Sequence, residues 1–379
     1  MAVRRAALGE TGVTLDGTWR GRTVLVTGHT GFKGSWLALW LRHLGAEVIG
    51  AALDPPTTPS HYAVCGMASR LVDLRSDICD YDRLAAILAE HRPSVVFHLA
   101  AQPIVRRAFA DPRETFAVNV MGTVNVLEAA RRCDAVRAVL VATSDKSYRN
   151  TGQDRAYHED DPLGGHEPYG ASKACAELVT EVYRQARFQA HAAHPRAFSV
   201  ASARAGNVIG GGDWGADRLV PDIVRAIAAQ AIAARTDLVI RNPDATRPWQ
   251  HVLDCLSGYL ALTSRLLAEP GAYEEAWNFG PDEAAPLTAS ALVAAVLARW
   301  PDHGTQTVVA RDPPDKEAQA LRVDSAKARA RLGWQPRWTT QQAVAATVDW
   351  YHRFATAPDA DMHALSLAQI EAYCATRRG

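Results

Sequence analysis

The run Thr23-Val24-Leu25-Val26-Thr27 leads directly into Gly28-His29-Thr30-Gly31-Phe32-Lys33-Gly34, and then into apolar residues at helical spacing over 35–44. A short, continuous, β-branched apolar run reads as a strand buried on both faces. Glycines three apart permit a tight turn, and Gly45 is placed to cap the helix that follows. Strand, glycine turn and helix in that order commit the chain to a parallel sheet, because the helix carries it back across the sheet before the next strand begins.

The order repeats. Strands are predicted at 47–53, 94–99, 138–143 and 199–205, and helices at 81–91, 115–132 and 169–188. The expected fold class is α/β, a doubly wound parallel Rossmann sheet. After Asn207 the alternation loosens: Gly210-Gly211-Gly212 and the prolines at 243, 248 and 313–314 mark loops. Trp277-Asn278-Phe279-Gly280 reads as a strand returning to the main sheet. The expected organisation is an extension at 1–20, a main domain at 21–205 joined by 247–282, and a smaller, mainly C-terminal lobe formed by 206–246 and 283–379.

Composition narrows the function. The 379 residues carry 41 Lys+Arg and 41 Asp+Glu, and the basic residues are dispersed. Neither nucleic acid nor a membrane surface is an expected partner. The six cysteines are far apart, with no CxxC pair, so reduced thiols, no disulfide and no metal are expected. Residues 1–20 lack the apolar core of a signal peptide, and no apolar run reaches membrane-spanning length. A cytoplasmic location is expected.

The glycine turn is suited to a dinucleotide. Gly28, Thr30, Gly31, Phe32, Lys33 and Gly34 lie where backbone amides and a helix N-terminus meet a pyrophosphate. Asp54 closes the second strand, where a carboxylate holds an adenosine ribose and repels a 2′-phosphate. That favours NAD, although Lys33 keeps NADP open and Asp54 can equally be a turn residue before Pro55-Pro56. Asp77 and Ile78 close the third strand beside an adenine. Ala100, Ala101 and Gln102 follow the next strand as small or polar neighbours of the cofactor.

Tyr169 and Lys173 lie four apart on one helical face, where the ammonium can lower the phenol's pKa and make it a base toward a hydroxyl. Thr143-Ser144-Asp145-Lys146 adds a second acid/base pair nearby. By strand alternation Thr143 faces the core. One dyad suffices for hydride transfer, and two sets of groups point to a further step.

These motifs resemble the extended short-chain dehydrogenase/reductase superfamily. The stretches GHTGFKGSWL (28–37), AAQPIVR (100–106), RAGNVIGGGDW (204–214), DRLVPDI (217–223), RNPDATRPWQHVLD (241–254), WNFGP (277–281) and LGWQPRW (332–338) are similar to the CDP-glucose 4,6-dehydratase family. The resemblance implies C4 oxidation of CDP-glucose, loss of water across C5 and C6, and hydride return to C6, with NAD regenerated in a homodimer or homotetramer. It makes Tyr169 the base, Lys173 its partner and ribose ligand, Ser144 the hydroxyl at C4, and Asp145 the acid for the C6 hydroxyl. Lys146 departs from the thymidine-nucleotide relatives, which have a glutamate there. Lys146 either removes the C5 proton as a neutral amine or stays charged against Asp145.

Asn207, Arg218 and Arg247 are implied at the diphosphate, and Gln102 and Arg106 at the hexose. Trp214, Trp249 and His251 either line the base pocket or pack the lobes. Lys316 stands where the family has histidine. Two other readings remain: a sugar-nucleotide 4-epimerase, which conserves substrate mass, and a silent NAD-binding module, which has no use for the Tyr/Lys dyad.

Overall fold

The computed structural model describes residues 15–152, 155–185, 188, 198–230, 238–240, 242–281, 287–300, 307–309 and 321–376. Most of the expected N-terminal extension, the prolines at 313–314 and Lys316 lie outside these residues.

Seven parallel strands form the central sheet: β1 (Thr23–Thr27), β2 (Glu47–Ala52), β3 (Val72–Arg75), β4 (Val95–His98), β5 (Ala138–Ala142), β6 (Ser199–Ala205) and β7 (Ala276–Phe279). Their order is β7-β6-β5-β4-β1-β2-β3. The chain runs outward from β1 in both directions, so the order reverses between β1 and β4. A crevice opens there at the carboxyl ends of the strands. Register aligns those ends: Thr27 lies opposite His98, His98 opposite Val141, and Val141 opposite Ser202. The loops after β1, β4, β5 and β6 therefore converge on one place.

Each face of the sheet buries its own core. One includes Trp36, Trp40, Leu256, Trp277 and Phe279, and continues through Trp350 and Tyr373 near the C-terminus. The other includes Leu84, Leu88, Val126 and Leu127. Full burial of one such side chain contributes about 1.5–3 kcal/mol. This double burial explains why the strands read as unbroken apolar runs.

The third strand ends at Arg75, ahead of Asp77 and Ile78, where it was expected to close, and β4 and β5 stop a residue short of their expected ends. Three further differences are local. First, β2 ends at Ala52, leaving Leu53 exposed. Second, the helix expected over 115–132 is a short helix Pro112–Phe116, a π-turn Ala117–Met121, and a helix Gly122–Arg132. The π-turn directs Asn119 inward, where its side chain accepts from Gln102 N at 2.8 Å and donates to Ser172 Oγ at 2.9 Å. Gly122 follows because a Cβ there would lie 2.5 Å from Ile78 Cδ1. Third, the helix expected over 169–188 is Pro168–Arg184. β7 pairs with β6, as the returning strand was expected to do.

Candidate active site

Tyr169 and Lys173 open the helix Pro168–Arg184. Glu167 caps it, accepting from Tyr169 N at 2.7 Å and Gly170 N at 2.8 Å, and Pro168 supplies a preset first turn. Both Tyr169 and Lys173 are buried. Gly170 is needed between them, because a Cβ there would lie 2.6 Å from Lys146 O. The turn after β5 thus packs directly on this helix.

That turn, Asp145–Ser147, is a single 3₁₀ turn capped by Ser144, whose Oγ accepts from Lys146 N at 3.2 Å. Ser144 Oγ also donates to Asp145 Oδ1 at 3.0 Å, and its hydroxyl opposes the rise that burial imposes on the Tyr169 phenol. Asp145 is buried, and burial raises its carboxyl above the usual range against the opposing pull of Lys146, Ser144 and Arg247. A raised carboxyl is what an acid for a leaving hydroxyl needs. Lys146 is half-buried beside it. Thr143 faces inward and donates to Glu177.

The electrostatics of the dyad differ from the sequence reading. Burial pushes the Tyr169 phenol up to about 12; Ser144 and Arg218 oppose this, while Asp145 and Glu167 add to it. Burial, and then the charge of Lys33, pull Lys173 down to about 8, with Glu177 opposing. Lys173 Nζ donates to Ala142 O at 3.2 Å. The leading influences on the phenol are thus burial and Ser144, rather than the ammonium.

The glycine turn fits a dinucleotide. Gly28 has φ +75° and a Cβ there would lie 2.7 Å from Ala100 N, while a Cβ on Gly34 would lie 2.1 Å from Gly28 O. Gly31 caps the helix Phe32–His43 with extended backbone and no side-chain bond. Its first-turn amides are therefore left for a phosphate, with Lys33 alongside.

Two side chains of this turn are engaged within the protein. Thr30 Oγ1 is committed to Leu53 O at 3.0 Å, and Phe32 packs so closely on Gly210 that a Cβ there would lie 3.1 Å from its Cζ. Both engagements are compatible with the backbone role expected of the turn. Asp54 is exposed and bonds Arg75 Nε at 2.8 Å. Asp77 is exposed, and its Oδ1 accepts from Cys79 N at 2.9 Å. Ile78 is buried against Gly122, and Ala100 and Ala101 are half-buried at the crevice.

Gln102 is a further correction. Its amide is buried and spent on Thr115 Oγ1 at 2.8 Å and Ile104 N at 2.6 Å, so it shapes the loop rather than reaching a hexose. Arg106 lies 3.6 Å from Asp217 across the crevice. Arg218 bonds Asp213 Oδ2 at 2.7 Å, and its charge reaches Tyr169. Arg247 is buried, donates to Thr246 O at 2.9 Å, and its charge reaches Asp145. Asn207 is half-buried where β6 exits, its carbonyl accepting from Gln250 N. Of the three open aromatics, Trp214 packs on Trp350, Tyr351 and Phe354. Trp249 donates to Leu287 O, and buried His251 caps the helix Val252–Ala268 against Trp338. All three pack the protein.

Sequence reasoning missed a buried ion pair behind the site. Arg204 on β6 grips Glu177 with two bonds, Nε to Oε1 at 2.9 Å and Nη2 to Oε2 at 3.0 Å. It missed Asp213, which anchors Arg218. It also missed Arg75. Glu177 had a readable signal: it follows Lys173 by four, on the same helical face.

The family model described as GDP-mannose 4,6 dehydratase matches residues 25–347. The chain is 43% identical over 333 residues to CDP-glucose 4,6-dehydratase of Salmonella typhimurium, covering 88% of this chain and 91% of that one. It is 29% identical over 329 residues to UDP-glucose 4-epimerase of Mycolicibacterium smegmatis, covering 86% and 97%. The structure of Streptomyces venezuelae dTDP-glucose 4,6-dehydratase with NAD bound superimposes with a TM-score of 0.71 at 24% identity, covering 88% and 99%. The two sets of acid/base groups and the dinucleotide turn thus sit in a frame shared with these relatives, and the chain belongs to the nucleotide-sugar 4,6-dehydratase family of extended short-chain dehydrogenases/reductases.

Proposed function

We propose that the protein converts CDP-D-glucose into CDP-4-dehydro-6-deoxy-D-glucose and water, with NAD as its resident cofactor. The 43% identity to CDP-glucose 4,6-dehydratase supports the substrate. The observation that carries the chemistry is the close approach at Gly170, where a Cβ would lie 2.6 Å from Lys146 O. It sets the turn that carries Ser144, Asp145 and Lys146 directly on the helix that carries Tyr169 and Lys173.

When bound, NAD would supply the hydride acceptor for C4 and the hydride donor to C6. Tyr169 takes the C4 hydroxyl proton, and Ser144 holds that oxygen. A 4-keto group makes the C5 proton acidic. Asp145, buried and raised, protonates the departing C6 hydroxyl. With Asp145 as the acid, the C5 proton falls to Lys146, which takes it as a neutral amine and returns it to C5 once hydride reaches C6. Tyr169 then ends the cycle with one proton too many and Asp145 with one too few. Ser144 is hydrogen-bonded to Asp145 and acts on the Tyr169 phenol, so a hand-over through its hydroxyl resets the site. Lys173 holds the nicotinamide ribose, Asp54 the adenosine ribose and Asp77 the adenine. Arg218, Arg247 and Asn207 hold the diphosphate, and Arg106 faces the hexose. In this reading the cofactor lies on 21–205 with 247–282, and the sugar nucleotide on the lobe formed by 206–246 and 283–379.

Incubation with CDP-, UDP-, dTDP- and GDP-glucose tests the proposal. Loss of one water and an alkaline 4-keto chromophore with CDP-glucose alone are expected. Conserved mass would give the epimerase reading, which leaves Asp145 and Lys146 without a role. Turnover of another nucleotide would keep the chemistry and change the substrate.

A homodimer or homotetramer is part of the same reading. Phe116, Met121, Leu178 and Val182 are exposed on or beside the helices flanking the site. Light scattering should give a dimer or tetramer and Leu178→Glu a smaller species; a monomeric parent would remove the idea. A reducing cytoplasm suits six free cysteines, and cell fractionation tests that location.

A further inference from the structure

We propose that Arg75 sets cofactor choice jointly with Asp54: it aims the Asp54 carboxylate at a ribose diol, and it becomes the donor to a 2′-phosphorylated dinucleotide once that carboxylate is removed. The inference rests on the dinucleotide assignment made above.

An exposed carboxylate at the end of β2 repels a 2′-phosphate by charge. Asp54 does not stand alone, because Arg75 Nε lies 2.8 Å from its Oδ1. β2 and β3 are parallel neighbours with Ala52 opposite Arg75, so both side chains emerge at the same rim of the crevice. The guanidinium is held without help from Asp54. Its Nη1 donates to Asp73 Oδ1 at 2.5 Å, and its Nη2 to Asp73 Oδ2 at 3.2 Å and to the Tyr62 hydroxyl at 3.3 Å. Asp73 is fixed in turn by Tyr62 and by His29, whose Nε2 lies 2.7 Å from Oδ1.

The donors are therefore divided. The Nη groups anchor the side chain, and Nε–H is spent on Asp54. Two carboxylates against one guanidinium leave this rim with a net charge of about −1. Removing the Asp54 carboxylate brings the rim to neutrality. It also frees an anchored Nε–H at the rim where Asp54 stood, and an arginine is well suited to a phosphate ligand.

The test is equilibrium binding of NADH and NADPH, followed by nicotinamide fluorescence, to the full-length protein after its cofactor is exchanged on charcoal. The parent, Asp54→Ala, Arg75→Gln and the double variant are compared. Both positions are at least partly exposed, at 90% and 39% for the two side chains, so the variants are expected to fold. Asp54→Ala should bind NADPH about tenfold tighter than the parent does, with the gain eroded by salt. The double variant should lose that gain. Arg75→Gln alone should weaken NADH severalfold and leave NADPH no better. An unchanged NADPH affinity in Asp54→Ala, or a gain that survives in the double variant, overturns the role of Arg75. A parent that binds neither dinucleotide overturns the cofactor assignment as well.

Discussion

The buried pair behind the site offers the sharpest stability test. Arg204 gives Glu177 two bonds, and its Nη1 donates to the Tyr148 hydroxyl at 2.8 Å and to Glu159 O at 2.9 Å. The side chains are 4% and 2% exposed, so solvent does little to screen them. Arg204→Met keeps the volume and removes the charge. Stranding one member of a buried pair costs about 3–5 kcal/mol. Arg184 remains near Glu177, held by Ser202 at 2.5 Å, which places the expected loss near the lower end of that range. For a chain of this size each kcal/mol moves Tm by roughly 2 °C, so a fall on the order of 6 °C is expected.

The pH dependence distinguishes this cause from a packing defect. Burial alone would raise the Glu177 carboxyl, but Arg204, then Arg184 and Ser202, hold it below the usual range. A depressed carboxylate contributes stability that is complete above its unfolded pKa and is lost as pH falls through its lower folded value. In Arg204→Met burial dominates and the carboxyl rises, so the variant gains a proton on folding. Its deficit against the parent should therefore shrink as pH falls from 7.5 to about 5. Calorimetry over that range, without added cofactor, gives the answer. A deficit that is under about 1 kcal/mol, or that does not change with pH, would refute the reasoning. Adding Glu177→Leu should recover part of the loss.

Lys146→Met should keep bound NAD but lose nearly all dehydration and C5 hydrogen exchange with solvent; normal turnover would remove Lys146 from the chemistry. Gly34→Ala forces a Cβ within 2.1 Å of Gly28 O, so cofactor affinity should drop at least tenfold in a titration, and an unchanged affinity would contradict the tight turn. Lys173, pulled down to about 8 first by burial and then by Lys33, is charged below that pH and neutral above it. The rate should fall as pH rises through about 8, and Lys33→Met should move that limb upward; an unmoved limb would separate the two lysines.

Most of the sheet was legible because its strands are buried on both faces; the edge strand β3, Val72-Asp73-Leu74-Arg75, is partly exposed and carries no such run. Runs such as Val95–His98 carry no alternation to misread, and glycines or prolines punctuate them. The break at Ala117–Met121 was not legible, because helical periodicity persists through a π-turn. What forces the turn is Asn119, reaching across to Gln102 and Ser172, a contact with residues distant in sequence. Gln102 itself was misassigned for the same reason. Its type suits a hexose, and only the fold shows that Thr115 and the Ile104 amide already occupy it. Trp214, Trp249 and His251 stood open until packing placed Trp249 and His251 inside and Trp214 against the core.

The candidate site shows the limit of spacing more sharply. A four-residue interval puts Tyr169 and Lys173 on one face, and adjacency puts Asp145 next to Lys146. Neither interval says how the two pairs meet. The meeting depends on Gly170, which lets the 3₁₀ turn approach the helix backbone, and on Ser144, which caps that turn with the same oxygen that contacts the phenol. A serine hydroxyl has one proton to give and two lone pairs to receive with. Here it donates to Asp145, accepts from Lys146 N, and favours the ionised form of the Tyr169 phenol beside it. A hydroxyl in that position can give its proton to one side and be reprotonated from the other, which is what a proton gained at C4 needs in order to replace one spent at C6. The residue that reads in sequence as an ordinary hydroxyl neighbour of the dyad is, in the fold, the one group shared by both halves of the proposed reaction.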